Sequence, residues 1–305
     1  MPACGTRVRA RRSERDLFAG TPPLFAARMV VSRTASRRKA KHTLMVLDVS
    51  CAFLYAPIKR KVFIELPGED PKSTSGEWVG KLEKALYGTR DAPQAWLEEL
   101  GSTLEGLGFL ASAHYPGVYY HPEMDVSMVT HVDDLLCGGT ASNLKWLREE
   151  LQKKYEVKGD LMSEECNQLK FLGRVISSDS EGFYWEEDPK HRRILLEEWG
   201  LQDCKGAATP MSAEKDQAGE VEMESSEGTR YRRAVARVNY LAQDRPDLAV
   251  AASVLSRSMA KPMVGDEVRL KRVLRYLKSH PSCRLEYKWQ DEPQAITLRT
   301  DSDWA

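Results

Sequence analysis

Two adjacent carboxylates, Asp133 and Asp134, stand in the run His131-Val132-Asp133-Asp134-Leu135-Leu136. The β-prone segment Val126-Ser127-Met128-Val129-Thr130 precedes them, and Cys137-Gly138-Gly139 is a small-residue exit behind them. Strands disfavour Asp, and like charges side by side repel unless a cation or a basic partner neutralises them. A doublet by itself describes a solvated turn as well as a ligand pair. A third carboxylate sharpens the reading. Asp48 closes the apolar run Leu44-Met45-Val46-Leu47-Asp48-Val49, which has the character of a buried strand. If the hairpin carrying the doublet lies beside that strand, three carboxylates converge on one patch. Oxygen-only ligands suit a hard divalent cation, Mg²⁺ or Mn²⁺; Mg²⁺ keeps several waters and takes few carboxylates plus substrate phosphates. Two such ions can clamp the attacking and leaving oxygens of a phosphoryl transfer. Side chains alternate along a strand, so Asp133 ranks ahead of Asp134 as a direct ligand. His131 has no partner at metal-ligand spacing and suits a structural or stacking role.

The elements that must position these groups read as an antiparallel α+β pattern, with no regular βαβ series. Phe25 to Ser36 is a helix-like run. The Asp48 strand is followed by a short helix or turn, Ser50 to Tyr55, and by a strand at Lys61–Leu66. Tyr87-Gly88-Thr89-Arg90-Asp91-Ala92-Pro93 opens a helix in which Trp96, Leu100, Leu104 and Leu107 recur at helical spacing. Gly117–His121 pairs with Val126–Val132 across His121-Pro122-Glu123-Met124-Asp125. Ser142 is the expected N-cap of a helix through Tyr155. A second hairpin joins Leu169–Ser178 to Gly182–Glu186, and Asp188-Pro189 starts a helix that stops at Gly200. Residues 205–228 have the composition of a linker or surface loop. Helices follow at Tyr231–Gln243, Pro246–Ala260 and Asp266–Ser279, then strands at Arg284–Lys288 and Ala295–Thr300. No Gly-rich phosphate loop is present, so bound phosphates would be held by metal ions and basic side chains.

The 305 residues suffice for two domains, and 42% hydrophobic residues can bury a sizeable core. Net charge is zero but uneven: residues 1–42 hold eleven Lys/Arg against two Asp/Glu. Such an arm suits a polyanion, or is simply poorly ordered. Six scattered cysteines without ligand spacing point to reduced thiols in an intracellular protein that is not secreted. No apolar run is long enough to span a bilayer.

Ordered segments along the chain resemble the reverse transcriptase of copia-type long-terminal-repeat retrotransposons. They are Leu47-Asp48-Val49-Ser50-Cys51-Ala52-Phe53-Leu54, Val62-Phe63-Ile64-Glu65-Leu66-Pro67 and Lys81 to Trp96. His131 to Leu136, Leu169-Lys170-Phe171-Leu172-Gly173, Cys204 to Met211, Arg245 to Ala249 and Leu270 to Lys278 follow. The resemblance covers about residues 43–305, with little matching before Thr21. It implies a right-hand polymerase of palm, fingers and thumb with an antiparallel palm sheet, a helical connection, and the start of a ribonuclease H-like domain. The implied domains are a basic N-terminal segment with partial fingers (1–42), fingers, palm and the start of the thumb (43–204), a linker (205–228), a helical thumb or connection (229–290) and the ribonuclease H start (291–305). It further implies that Asp48, Asp133 and Asp134 hold two Mg²⁺ or Mn²⁺ ions. His131 stands where the family has Tyr and, with Val132, falls where the primer is positioned. Phe53 takes the place of the residue under the nucleotide sugar. Tyr87, Gly88 and Arg90 fall near nucleotide and template. Asp301, in Leu298-Arg299-Thr300-Asp301-Ser302-Asp303-Trp304-Ala305, is similar to the first ribonuclease H carboxylate, with the others absent from this chain and that activity expected absent with them.

The implied partners are an RNA template, a DNA primer, deoxynucleoside triphosphates and other parts of a Pol polyprotein. The resemblance likewise implies a cytoplasmic particle or the nucleus, with no membrane partner. Two further readings stay open: a decayed, inactive retroelement fragment that at most binds nucleic acid, and an unrelated metal-dependent phosphoesterase using the same carboxylates.

Overall fold

A computed structural model describes residues 20–73, 76–212, 221–295, 297–298 and 300. The chain divides into two compact units: one runs to Ser163 and takes in the chain from Gln290 onward, the other is Glu164–Trp289. The expected 43–204 segment therefore spans parts of both.

In the first unit α1 (Leu24–Ala35) precedes β1 (His42–Val49), a short helical turn at Ala52–Tyr55, β2 (Phe63–Glu65) and β3 (Val79–Lys81). Then come α2 (Ala92–Gly106), β4 (Leu110–Ala111), β5 (Val118–His121), β6 (Val126–His131), β7 (Asp134–Thr140), α3 (Ala141–Gln152) and β8 (Val157–Leu161). Strands β2 and β3 form a two-stranded ribbon. The other six make one antiparallel sheet in the order β4-β5-β6-β7-β1-β8.

Both faces of the sheet centre are covered, which is why β1, β6 and β7 read as nearly continuous apolar runs. Met45, Leu47 and Val49 enter the core shared with Trp96, Leu100 and Leu104 of α2 and Leu144, Leu147 and Leu151 of α3. The alternate residues face α1. That helix lies so close that a Cβ at Gly138 would meet Thr34 Oγ1 at 2.1 Å. Cys137-Gly138-Gly139 therefore belongs to a central strand rather than to an exit from one, and the missing side chain of Gly138 admits α1. Strand β7 runs directly into α3, so the cap is Thr140, whose Oγ1 accepts from the Asn143 amide at 3.3 Å, not Ser142.

The second unit has β9 (Gln168–Phe171), β10 (Arg174–Ser178), β11 (Gly182–Glu186), α4 (Pro189–Glu198), α5 (Ser225–Ala242), α6 (Ala249–Arg257), α7 (Val264–Ser279) and β12 (Arg284–Lys288). Its antiparallel sheet has the order β12-β11-β10-β9. The expected single strand Leu169–Ser178 is a hairpin, because Leu172 and Gly173 take φ of 49° and 80° and reverse the chain. The expected linker overlaps the start of α5. The expected strand Ala295–Thr300 does not form: residues 295, 297, 298 and 300 are in no strand, and the other two lie outside the described residues.

The four helices bury Leu195, Tyr231, Val238, Leu255, Leu270 and Leu274 together. Buried ionic groups tie them to the sheet. Arg174 Nε donates to Asp244 at 3.0 Å, Trp185 Nε1 donates to the same carboxylate at 2.9 Å, and Arg245 bridges Glu187 (2.9 Å) and Asp247 (2.7 Å). Each charge is matched, as burial requires.

Candidate active site

Asp48 is the penultimate residue of β1, and across the ladder it faces Asp134, the first residue of β7. The next rung is closed by the Val49 amide donating to the Asp133 carbonyl at 3.0 Å. Asp48 and Asp134 thus form a non-hydrogen-bonded cross-strand pair, the kind in which Cα atoms approach to about 4.5 Å and side chains share a face. By alternation this is the face on which Leu44 and Gly138 meet α1, at the opposite end of the two strands.

Strand β6 turns into β7 through two residues only, Val132 and Asp133, since His131 pairs with Asp134. Val132 has φ of 59° while Asp133 does not have positive φ, the pattern of a II′ turn, which ordinarily puts Gly first. A β-branched residue there is strained by about 1–3 kcal/mol and persists only where its surroundings hold it. Val132 packs on the core, and its carbonyl accepts a 2.7 Å bond from Trp96 Nε1 of α2. The doublet is thus anchored from beneath by a fully buried tryptophan.

The electrostatics report the convergence. The Asp134 carboxyl is pushed up to about 6, by burial first and then by the negative charges of Asp133 and Asp48. The Tyr87 phenol is raised by burial and then by Asp133, Cys51 and Asp48, which places it in the same field. Its ring contacts Phe53 with centroids 4.7 Å apart and planes at 44°. Phe53 sits in the turn after β1, half-buried against the core. Gly88 follows with φ of 91°, and Arg90 lies exposed in the same turn. The structure therefore groups Asp48, Asp133, Asp134, Phe53 and Tyr87, with Val132 and His131 framing the turn. Among the described residues no hydrogen bond or ion pair joins Arg90 to them. Asp301 lies outside the described residues.

Two participants escaped the sequence reading. Trp96, read there as core, also holds the turn; a buried indole N–H needs an acceptor, which was the available signal. Lys158, on β8, stands opposite Asp48, and its ammonium is favoured by Glu156 first and also by Asp48. Strand β8 is short and polar, so nothing in its pattern announced it. Its start is fastened to the end of β1: the Ser50 amide donates to Glu156 O, and the Glu156 amide donates to Tyr55 Oη, both at 2.9 Å.

Among the described residues no three His, Cys, Asp or Glu side chains are gathered tightly enough to enclose a metal by themselves. The donor set nonetheless fits a hard divalent cation. It is all oxygen, one member (Asp48) is exposed, and the burial and like charge that raise Asp134 are what a bound cation would offset.

The model of the family described as reverse transcriptase (RNA-dependent DNA polymerase) matches residues 11–213. The chain belongs to that family. The match begins before Thr21, earlier than the motifs suggested. Among its relatives, the retrovirus-related Pol polyprotein from transposon RE2 of Arabidopsis thaliana is 29% identical over 262 residues, covering 85% of this chain and 18% of the relative. That from transposon TNT 1-94 of Nicotiana tabacum is 25% identical over 275 residues, 86% of this chain and 20% of the relative. The putative transposon Ty5-1 protein of Saccharomyces cerevisiae is 27% identical over 260 residues, 84% of this chain and 82% of the relative. The chain thus spans about a fifth of the plant polyproteins it matches. The expected likeness to copia-type Pol polyproteins is borne out. No helix among the described residues is long and apolar enough to cross a membrane.

Proposed function

We propose that the carboxylate end of the six-stranded sheet is the nucleotidyl-transfer centre of an RNA-directed DNA polymerase. One observation carries this reading: Asp48 faces Asp134 across adjacent central strands and Asp133 stands in the turn that opens the second of them, so the three carboxylates share one end of the sheet. On this reading the sheet is the palm, the β2–β3 ribbon and the chain before β1 belong to the fingers, and the helices of the second unit form the thumb and connection. Asp48 and Asp133 would hold two Mg²⁺ or Mn²⁺ ions, with Asp134 assisting. When bound, such ions neutralise the attacking and leaving oxygens of an in-line displacement.

The chain's own residues do the rest. The Trp96-anchored turn holds Asp133 at a defined place, as preorganised catalysis needs. His131 and Val132 border the position of the primer's 3′ end. The half-buried Phe53 ring, braced by Tyr87, forms an aromatic step beside the carboxylates on which a deoxyribose fits and a ribose 2′-hydroxyl clashes. Template and primer are held mainly through backbone phosphates, so affinity falls as salt rises. The substrates are then an RNA template, a DNA primer and deoxynucleoside triphosphates. The test is extension of a DNA primer on an RNA template by the full chain with Mg²⁺ or Mn²⁺. Template-independent cleavage of a simple phosphodiester, with no extension, would instead identify a phosphoesterase.

A further inference from the structure

Thr209 is an exposed hydroxyl already held by an arginine. It lies in the loop at residues 205–212 of the second unit, which is laced to α7. The Ala207 amide donates to Arg275 O at 3.2 Å, and Ser279 Oγ donates to Ala207 O at 2.7 Å. From α7, Arg272 Nη2 donates to Thr209 Oγ1 at 2.9 Å, and that hydroxyl in turn donates to Met211 O at 2.8 Å. Nη2 and Nε lie on the same edge of a guanidinium, the edge that takes two oxygens of a phosphate side by side. Arg272 Nε is buried, and among the described residues nothing accepts from it. One half of a bidentate edge is therefore on Thr209 and the other half is left over, which is costly for a buried charged donor.

The space beside it is cationic. The loop and α7 border a concavity of about 470 Å³ lined by Lys205, Arg269, Arg272 and Arg275, and no residue lining it is acidic. Arg269 is paired with Asp266, whereas among the described residues no carboxylate pairs with the other three. Pro210 follows Thr209. A proline holds the residue before it extended and presents no N–H of its own, the form in which a proline-directed kinase takes its acceptor. The chain has one other hydroxyl residue followed by proline, Thr21, and among the described residues no arginine donates to it.

We infer that Thr209 is a phosphorylation site and that Arg272 is the seat of its phosphate. A proline-directed protein kinase supplies the group from a nucleoside triphosphate. Thr209 Oγ1 bonds to the γ-phosphorus, and the bond from that phosphorus to the β–γ bridging oxygen breaks. The nucleoside diphosphate leaves with the electron pair, and the hydroxyl proton passes to the kinase's base. The hydroxyl's bond to Met211 O is given up. In its place a dianion with three acceptor oxygens meets both donors of the Arg272 edge and the charges of Lys205 and Arg275. The loop that leads from α4 towards α5 is then clamped to α7, so the modification sets the rigidity of the second unit. The inference stands apart from the polymerase reading.

The experiment treats the full chain with a proline-directed kinase and ATP, maps the product by mass spectrometry, and titrates it by phosphorus NMR. Wild type should take up phosphate at Thr209, and Thr209→Val should lose that uptake. A free phosphothreonine passes from monoanion to dianion at about pH 6; beside Arg272 the dianion is favoured about tenfold, so the signal should titrate at about pH 5. The melting temperature should rise by a few degrees over the phosphatase-treated protein. Arg272→Gln should return the titration to about pH 6 and abolish the rise. Lys205→Gln/Arg275→Gln, both positions being exposed, should move both readouts part of the way. Uptake at Thr21 and none at Thr209, or a phosphate on Thr209 that titrates at about pH 6 in wild type and leaves the melting temperature unmoved, overturns the inference.

Discussion

Replacing Asp134 with Asn should stabilise the cation-free protein, and by an amount that grows with pH. The native carboxyl titrates at about 6 instead of the ordinary 3.8, because it is buried and then because Asp133 and Asp48 are negative beside it. Between those two values the folded protein holds a proton that the unfolded chain has released. Stability contributed at this site is therefore greatest below pH 4 and is lost as pH rises through about 6. At about 1.36 kcal/mol for each pH unit of difference, ionised Asp134 costs the folded state up to about 3 kcal/mol at pH 7.5 and about half that at pH 5. Solvent at the half-exposed sheet end lowers both figures. Urea unfolding in chelator, wild type against Asp134→Asn, measures the difference directly. Addition of Mg²⁺ should shrink the gap, because a cation relieves in the wild type what Asn removes in the variant. A variant less stable than wild type at pH 7.5, or a gap independent of pH, would refute the claim that the three carboxylates repel one another at a common site.

Other consequences can be measured with the same protein. Trp96→Phe removes the 2.7 Å bond to the Val132 carbonyl, and should cost about 1–3 kcal/mol by urea unfolding, with primer extension falling further than stability alone explains. Arg174→Met leaves Asp244 buried with its charge unmatched, and should cost about 3–5 kcal/mol; Asp244→Asn in the same background should recover part of it. Phe53→Ala should raise incorporation of ribonucleotides relative to deoxynucleotides, read from extension with each triphosphate, while leaving the melting temperature within a few degrees.

The sequence was most legible where side-chain character and backbone role agree. An apolar run ended by Asp48, and a β-prone run ended by an acidic doublet, placed two central strands correctly and their carboxylates at adjacent ends. It was least legible where a residue serves a distant neighbour. Gly138 and Gly139 look like a chain leaving a sheet, yet both lie within a central strand, Gly138 because α1 needs the room on one face and Gly139 close against Val126 and Leu144 on the other. Leu172 looks like strand interior but takes a left-handed conformation with Gly173 and reverses the chain. Lys158 gave no signal, because an edge strand with a solvated face has no apolar period to read. The ranking of Asp133 over Asp134 rested on alternation alone. The register adds that Asp134 squares up to Asp48 while Asp133 occupies the turn, so all three reach the same patch by different routes.

The central claim is that this patch performs nucleotide transfer. Primer extension on an RNA template, comparing wild type with Asp133→Asn and Asp48→Asn at matched primer–template affinity, tests it most directly. Wild type should extend the primer in a manner that depends on Mg²⁺ or Mn²⁺, and each variant should lose extension by at least about 10²-fold with binding retained. Extension that survives in Asp133→Asn would contradict it.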